Sequence, residues 1–251
     1  MAPINIEEKI LINSKLIMKL KNQSKIVDKQ IAIYSDLKER PFSSYKKEKH
    51  PYFKDEVVVM RTKDNVAQLT ISKQNTILTY NYHPTYQMNT KGSLALFTDL
   101  AERVFHSIID IVKDVSDIEV VGCVNYIHIP TPSQSPSQLL FDQFVNIKDI
   151  DKINTFSLNF SEERDNSFFI NYSFNKYEQK VLTEKPNNPS KPTKEELKKA
   201  VKKGEGIQLI VDINNKPSLR EGKEPFDKDS ITKLLIFVRE TILNIDKIFK
   251  Q

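Results

Sequence analysis

Apolar residues along this chain keep two rhythms, one of period two and one of period three to four, and the order in which they alternate predicts the architecture. Val66 to Ser72 alternates and, after a turn at Lys73, Gln74 and Asn75, is followed by a second alternating run, Thr76 to Tyr82, which together predict a hairpin. The rhythm then lengthens. From Ser93 to Val115 the residues Phe97, Leu100, Val104, Ile108, Ile111 and Val115 form one helical stripe, widened by Leu94, Ala101, Phe105 and Val112. A β-branched strand, Ile118 to Ile129, comes next. Upstream, even spacing of Ile10, Ile12, Leu16, Met18 and Leu20 predicts a strand over Glu8 to Lys21, interrupted at Asn13 and Ser14, with a helix as the alternative. Ser24 is placed to cap a helix from Lys25 to Arg40, carrying Val27, Ile31, Tyr34 and Leu37 and ended by Pro41. The polar, basic stretch Ser43 to Lys54 reads as a loop ahead of a strand at Glu56 to Arg61.

The second half repeats this logic. After a proline-marked loop from Pro130 to Pro136, Ser137 is placed to cap a brief helix with Leu139, Leu140, Phe144 and Val145. Thr155 to Phe160 and Ser167 to Tyr177 predict a hairpin across Glu162 to Asn166, and Ile207 to Asn214 a further strand. Between them, Thr183 to Gly206 holds prolines, lysines and a Thr193 to Glu196 capping box, and reads as a mobile basic excursion. A last stripe of Ile231, Leu235, Val238, Ile242, Ile245 and Phe249 predicts a helix from Asp229 to Phe249. The fold class expected is therefore α+β in two sheet-and-helix lobes. Residues 1–130 would form a ferredoxin-like lobe of order βαββαβ. Residues 131–251 would form a mostly antiparallel sheet closed by the long C-terminal helix, with a mobile basic insertion at 183–206.

Composition narrows the chemistry. A chain of 251 residues, 39% hydrophobic, can bury a substantial core. Its 38 basic and 33 acidic residues leave a net charge of only +5, which favours solubility and points to no particular partner. The single cysteine, Cys123, lies in an apolar strand, so no disulfide can form within the chain, as suits a reducing cytoplasm. Met1 to Ile12 carries Glu7, Glu8 and Lys9 where a secretory leader would be apolar, and no stretch reaches the length of a membrane span. A cytoplasmic protein with no cofactor is expected.

Three stretches resemble a sporadically distributed family of uncharacterised bacterial proteins of about this length. They are the helix end Tyr34-Ser35-Asp36-Leu37-Lys38-Glu39-Arg40-Pro41-Phe42, the strand Gly122-Cys123-Val124-Asn125-Tyr126-Ile127-His128-Ile129-Pro130, and Val211-Asp212-Ile213-Asn214. The resemblance implies a prokaryotic source and an accessory role beside mobile-element or antiviral defence genes. It implies no reaction.

Candidate sites are few, and each has an ordinary structural reading beside the functional one. His50, His83, His106 and His128 stand singly, without the paired spacing a metal site needs. Cys123 and His128 share a strand, but five residues separate them, so they point to opposite faces and cannot form a dyad. His106 and Asp110, one turn apart, read as a solvated helix face. Glu162, Glu163 and Asp165 would cluster at a hairpin tip, binding a cation or keeping the turn wet. Asp212 interrupts a β-branched strand and, with His128 and Tyr126, is a candidate functional residue. Tyr80 and Tyr82 share a strand face and are read either as core aromatics or as a stacking platform for bases. Lys194, Lys198, Lys199, Lys202 and Lys203 could contact phosphates or form an exposed polar surface. No glycine-rich phosphate loop is present, since Gly204-Glu205-Gly206 is too short. The expectation is a non-enzymatic adaptor that binds another protein. An RNA- or single-stranded nucleic-acid-binding module is the alternative, and an enzyme with an unrecognised site the third.

Overall fold

Alternating residues with one apolar face pair wherever a neighbouring edge offers unpaired backbone groups, and here nine strands do so in a single antiparallel sheet. The computed structural model describes residues 8–38, 41–49, 55–85, 87, 89–112, 118–132, 135–145, 153–164, 168–182, 193, 195, 199–215 and 227–249. In chain order the elements are β1 (Ile10–Leu20), α1 (Ser24–Asp28), α2 (Gln30–Leu37), β2 (Phe42–Lys49), β3 (Glu56–Thr62), β4 (Ala67–Ile71), β5 (Thr76–Asn81) and α3 (Thr90–Val112). There follow β6 (Ile118–Pro130), α4 (Pro136–Phe144), β7 (Leu158–Arg164), β8 (Phe168–Val181), β9 (Val201–Asn214), α5 (Lys228–Leu243) and a 3-10 turn, Ile245–Phe249.

The strand order, β2-β3-β4-β5-β1-β6-β9-β8-β7, contradicts the expected pair of lobes. Each half does run strand, helix, returning meander, long helix. The first strands of the two halves, however, hydrogen-bond to one another over nearly their full lengths, from Ile10 opposite His128 to Leu20 opposite Ile118. That seam fuses what would have been two sheets, and β6, expected as the last strand of a ferredoxin-like lobe, instead begins the second half. The first half also holds a strand that its polarity conceals. Phe42–Lys49 is β2 and not a loop, because at the edge of the sheet only Phe42 and Tyr45 need to face the core while its lysines stay in water.

Other boundaries shift for local reasons. A bulge between Leu11 and Asn13 changes the phase of β1, so Leu11, Ser14, Leu16, Met18 and Leu20 face inward while Ile10 and Ile12 do not. Gln23, not Ser24, precedes the first helical turn, and its side chain bonds the Leu20 amide and Thr76. Ser135 takes the cap position of α4 expected for Ser137. The C-terminal helix breaks at Asn244, where the chain tightens into the 3-10 turn. β7 starts three residues later than expected and runs on past Phe160 to Arg164, placing Glu162 within a strand. β8 and β9 extend as a ribbon to Val181 and Val201, so Val201 to Gly206 belong to the sheet and not to an excursion. Residues 183–192 lie outside the described residues.

The core lies between the inward face of the sheet and the helices, with Leu16, Leu78, Cys123, Ile127, Leu209 and Val211 beneath Phe97, Val104, Ile108, Leu234 and Val238. The two long helices are tied to each other by polar bonds. Thr232 donates to Glu102 Oε1 at 2.6 Å, His106 Nε2 lies 3.3 Å from both Thr232 Oγ1 and the Lys228 carbonyl oxygen, and Lys228 pairs with Asp110 at 2.5 Å. His106 thus lies at a helix interface and not on a solvated face, whereas Asp110, paired with Lys228, stays exposed. Under the seam a buried polar cluster joins β1, β6 and the residue that follows β5: Ser14 Oγ donates to Asn125 Oδ1 at 2.6 Å and lies 2.7 Å from the Tyr82 hydroxyl. Ser14 and Asn125 are direct cross-strand partners.

Candidate functional site

Because side chains alternate across a strand, the residues left over after the core is filled form the opposite, helix-free face of the sheet. The central strands place Lys15, Ile17, Val124, Tyr126, His128, Gln208, Ile210 and Asp212 there, all half-buried. Asn171, Ser173, Asn175 and Tyr177 extend it over β8, and Thr79 and Asn81 over β5. At β3 both faces are buried, with Val57 and Val59 as enclosed as Val58 and Met60. The open part therefore runs from β5 to β7.

Register brings together the three residues singled out in the sequence. Asp212 sits opposite Val124, Tyr126 opposite Ile210, and His128 opposite Gln208. Asp212 accepts hydrogen bonds from Asn171 at 3.4 Å and Asn214 at 3.3 Å. The Lys15 ammonium lies 5.3 Å from the centroid of the Tyr126 ring, a cation–π contact. His128 stacks on Tyr177 with ring centroids 3.9 Å apart and 14° between planes, and its Nε2 is 3.2 Å from the Gln208 amide. That stack needs Gly206. A β-carbon there would collide with the Ile129 carbonyl oxygen and come within 2.6 Å of the Tyr177 ring. Burial pushes the His128 imidazole below its ordinary pKa of 6.5, so it is neutral at physiological pH.

The central charges of this face, Lys15 and Asp212, have no ion-pair partner among the described residues and are held by the Tyr126 ring and by two amides. Lys19 pairs with Glu119 at 2.7 Å, and beyond the open part, on β2 and β3, Arg61 pairs with Glu48 at 3.2 Å, Lys46 lying 3.8 Å from the same carboxylate oxygen. Of the lysines read as phosphate contacts, Lys202 is held 2.7 Å from Glu205, which also binds Lys176 at 3.0 Å. Lys199 and Lys203 are exposed, and Lys194 and Lys198 lie outside the described residues. Tyr80 and Tyr82 do not form a platform on this surface. Both turn inward, where Tyr82 is 4% exposed and meets Tyr80 edge to face, and burial raises its phenol far above the usual range. Cys123 is likewise enclosed, its thiol pushed up to about 12 by burial, which leaves it a small apolar filler.

A second feature escaped the sequence reading. Between α4, the inward side of β7 and β8, α5 and the 3-10 turn lies a pocket of ≈ 580 Å³ walled by Phe144, Phe160, Tyr172 and Phe237. Glu162, expected at a wet hairpin tip, sits in its wall, accepting the Tyr172 hydroxyl at 2.9 Å and Arg164 Nε at 3.3 Å. Burial, then the bond to Glu162, raises the Tyr172 phenol above its ordinary value. The signal was faint because the four rings come from four separate elements, and no sequence interval links them.

Among the described residues no three His, Cys, Asp or Glu side chains converge to hold a metal ion. No helix among them is long and apolar enough to cross a membrane. Compared with protein-family models and with curated proteins, the chain matches none.

Proposed function

We propose that the chain is a non-enzymatic cytoplasmic adaptor that binds another prokaryotic protein through the helix-free face of its sheet. The observation that carries this reading is the make-up of that face: half-buried Val124, Tyr126, Ile17 and Ile210 surrounded by amides and hydroxyls, with one cation, Lys15, and one anion, Asp212, among them. An apolar centre with a polar rim, in which aromatic residues are exposed and net charge is low, is what a protein interface requires. A nucleic-acid surface would instead carry unpaired cations along its length. The role beside mobile-element or defence genes rests on the family resemblance alone.

The second reading, RNA or single-stranded nucleic acid, keeps one supporting observation. Tyr126 and the His128–Tyr177 stack are rings on an open sheet, where bases stack. Two measurements separate the readings. Under the adaptor reading the tagged wild-type chain retains a discrete protein, Tyr126→Ala with Ile210→Glu releases it without lowering the melting temperature, and labelled single-stranded RNA shows no saturable binding. Submicromolar RNA affinity that collapses between low and high salt reverses the ranking.

A further inference from the structure

We infer that the pocket beneath β7 and β8 is a binding site for a small aromatic zwitterion, a flat ring system bearing both an ammonium and a carboxylate. This inference is independent of the adaptor reading, since the pocket opens on the helix side of the sheet and shares no residue with the helix-free face. Four observations converge on it. The volume, ≈ 580 Å³, falls within the range of sites that enclose organic ligands, and holds a molecule between an aromatic amino acid and an aromatic dipeptide in size. The walls are rings. Phe144 lies 6.4 Å from Phe160, which lies 4.9 Å from Tyr172, and Phe237, stacked on Phe168, lines the same pocket from α5, so a planar guest meets rings from more than one element.

The third observation concerns polar groups. Thr241 lines the wall, and its Oγ1, closed to solvent behind it, has no hydrogen-bond partner among the described residues, so a guest meets that oxygen once the side chain turns about χ1. The fourth is the division of charge. Glu162 is already satisfied by Tyr172 and Arg164, so it holds the wall together and is not the group that reads the ligand. Glu240 and Lys247, both exposed, line the same pocket without an ion-pair partner among the described residues, and beside the Arg164–Glu162 pair they offer one anion and one cation to a guest. A guest with a single charge would satisfy one and leave the other facing only water, whereas a zwitterion meets both.

The chain has no tryptophan, so an indole probe can be followed by its own fluorescence. Titrating the full-length protein into L-tryptophan, tryptamine and indole-3-acetate separates the contributions of the two charges. Tryptophan anisotropy should rise saturably with a Kd of about 1 mM or tighter, and each singly charged analogue should bind about fivefold more weakly or worse. Glu240→Gln and Lys247→Gln, both at exposed positions that leave the fold intact, should each weaken tryptophan about threefold or more while leaving one analogue unaffected: indole-3-acetate for the first, tryptamine for the second. Thr241→Val should weaken all three probes, with circular dichroism unchanged. Absence of a saturable rise in tryptophan anisotropy as protein is added, equal affinity for the three probes, or variants that bind as the wild type does would each overturn the assignment.

Discussion

Ser14 and Asn125 face each other across the seam between β1 and β6, fully buried, and share a hydrogen bond that also engages Tyr82. A buried polar pair of this kind contributes less to stability than to register, because a slip by one residue would leave three polar groups unpartnered in an apolar layer. Ser14→Ala removes the common partner and leaves both the Tyr82 hydroxyl and Asn125 Oδ1 unsatisfied. A loss of about 1–3 kcal/mol in urea denaturation is expected, and no change would refute the role of the cluster. On the other face of the sheet, Gly206 is needed for space, not for backbone freedom: Gly206→Ala should displace Tyr177 and cost a comparable ~1–3 kcal/mol. His128 supplies a pH dependence whose sign follows from burial. Its folded pKa lies below its ordinary 6.5, so the unfolded chain takes up the proton first. The stabilisation is complete above about pH 6.5 and is lost as pH falls through the lower, folded value. Comparing urea midpoints at pH 7.5 and 5.0, His128→Phe should keep the stack on Tyr177 and flatten this part of the decline.

At the scale of elements, the long helices were the most legible part of the chain. A stripe of Leu94, Phe97, Leu100, Ala101, Val104, Phe105 and Ile108 admits only one orientation on a sheet, and all seven residues are buried. What the stripe could not disclose was its polar neighbour. Glu102, His106 and Asp110 look solvated in one dimension, and only the approach of α5 gives them Thr232 and Lys228 as partners. Thr232→Val keeps the shape of that contact and removes its bonds to Glu102 and His106. It should cost about 1 kcal/mol, measured against an exposed threonine control on the same helix. Edge strands were the least legible. After Phe42 every residue of β2 carries a charged or hydroxyl-bearing side chain, the very feature that keeps an edge from pairing with other molecules and that makes it read as a loop. The aromatic pocket was illegible for a related reason, being assembled from α4, β7, β8 and α5 at intervals that no local pattern marks.

For the whole molecule, the seam decides the number of folding units. Separated halves would each expose a long unpaired edge, β1 or β6, and strip α3 from α5. Unfolding should therefore be one cooperative transition, with near-ultraviolet signals from tyrosines in the first half and those in the second falling at the same urea concentration. A fragment of residues 1–117, expressed alone, should lack a cooperative transition. Two separate transitions, or a stably folded fragment, would restore the picture of independent lobes. The sequence by itself determined which residues are apolar, their period, and hence the α+β class, the long helices and the central strands, because those follow from local geometry and burial. The joining of the halves, the face left open to partners and the pocket were decided only in three dimensions. Each depends on which edges meet, and backbone hydrogen bonds between strands are chemically alike whichever strand supplies them.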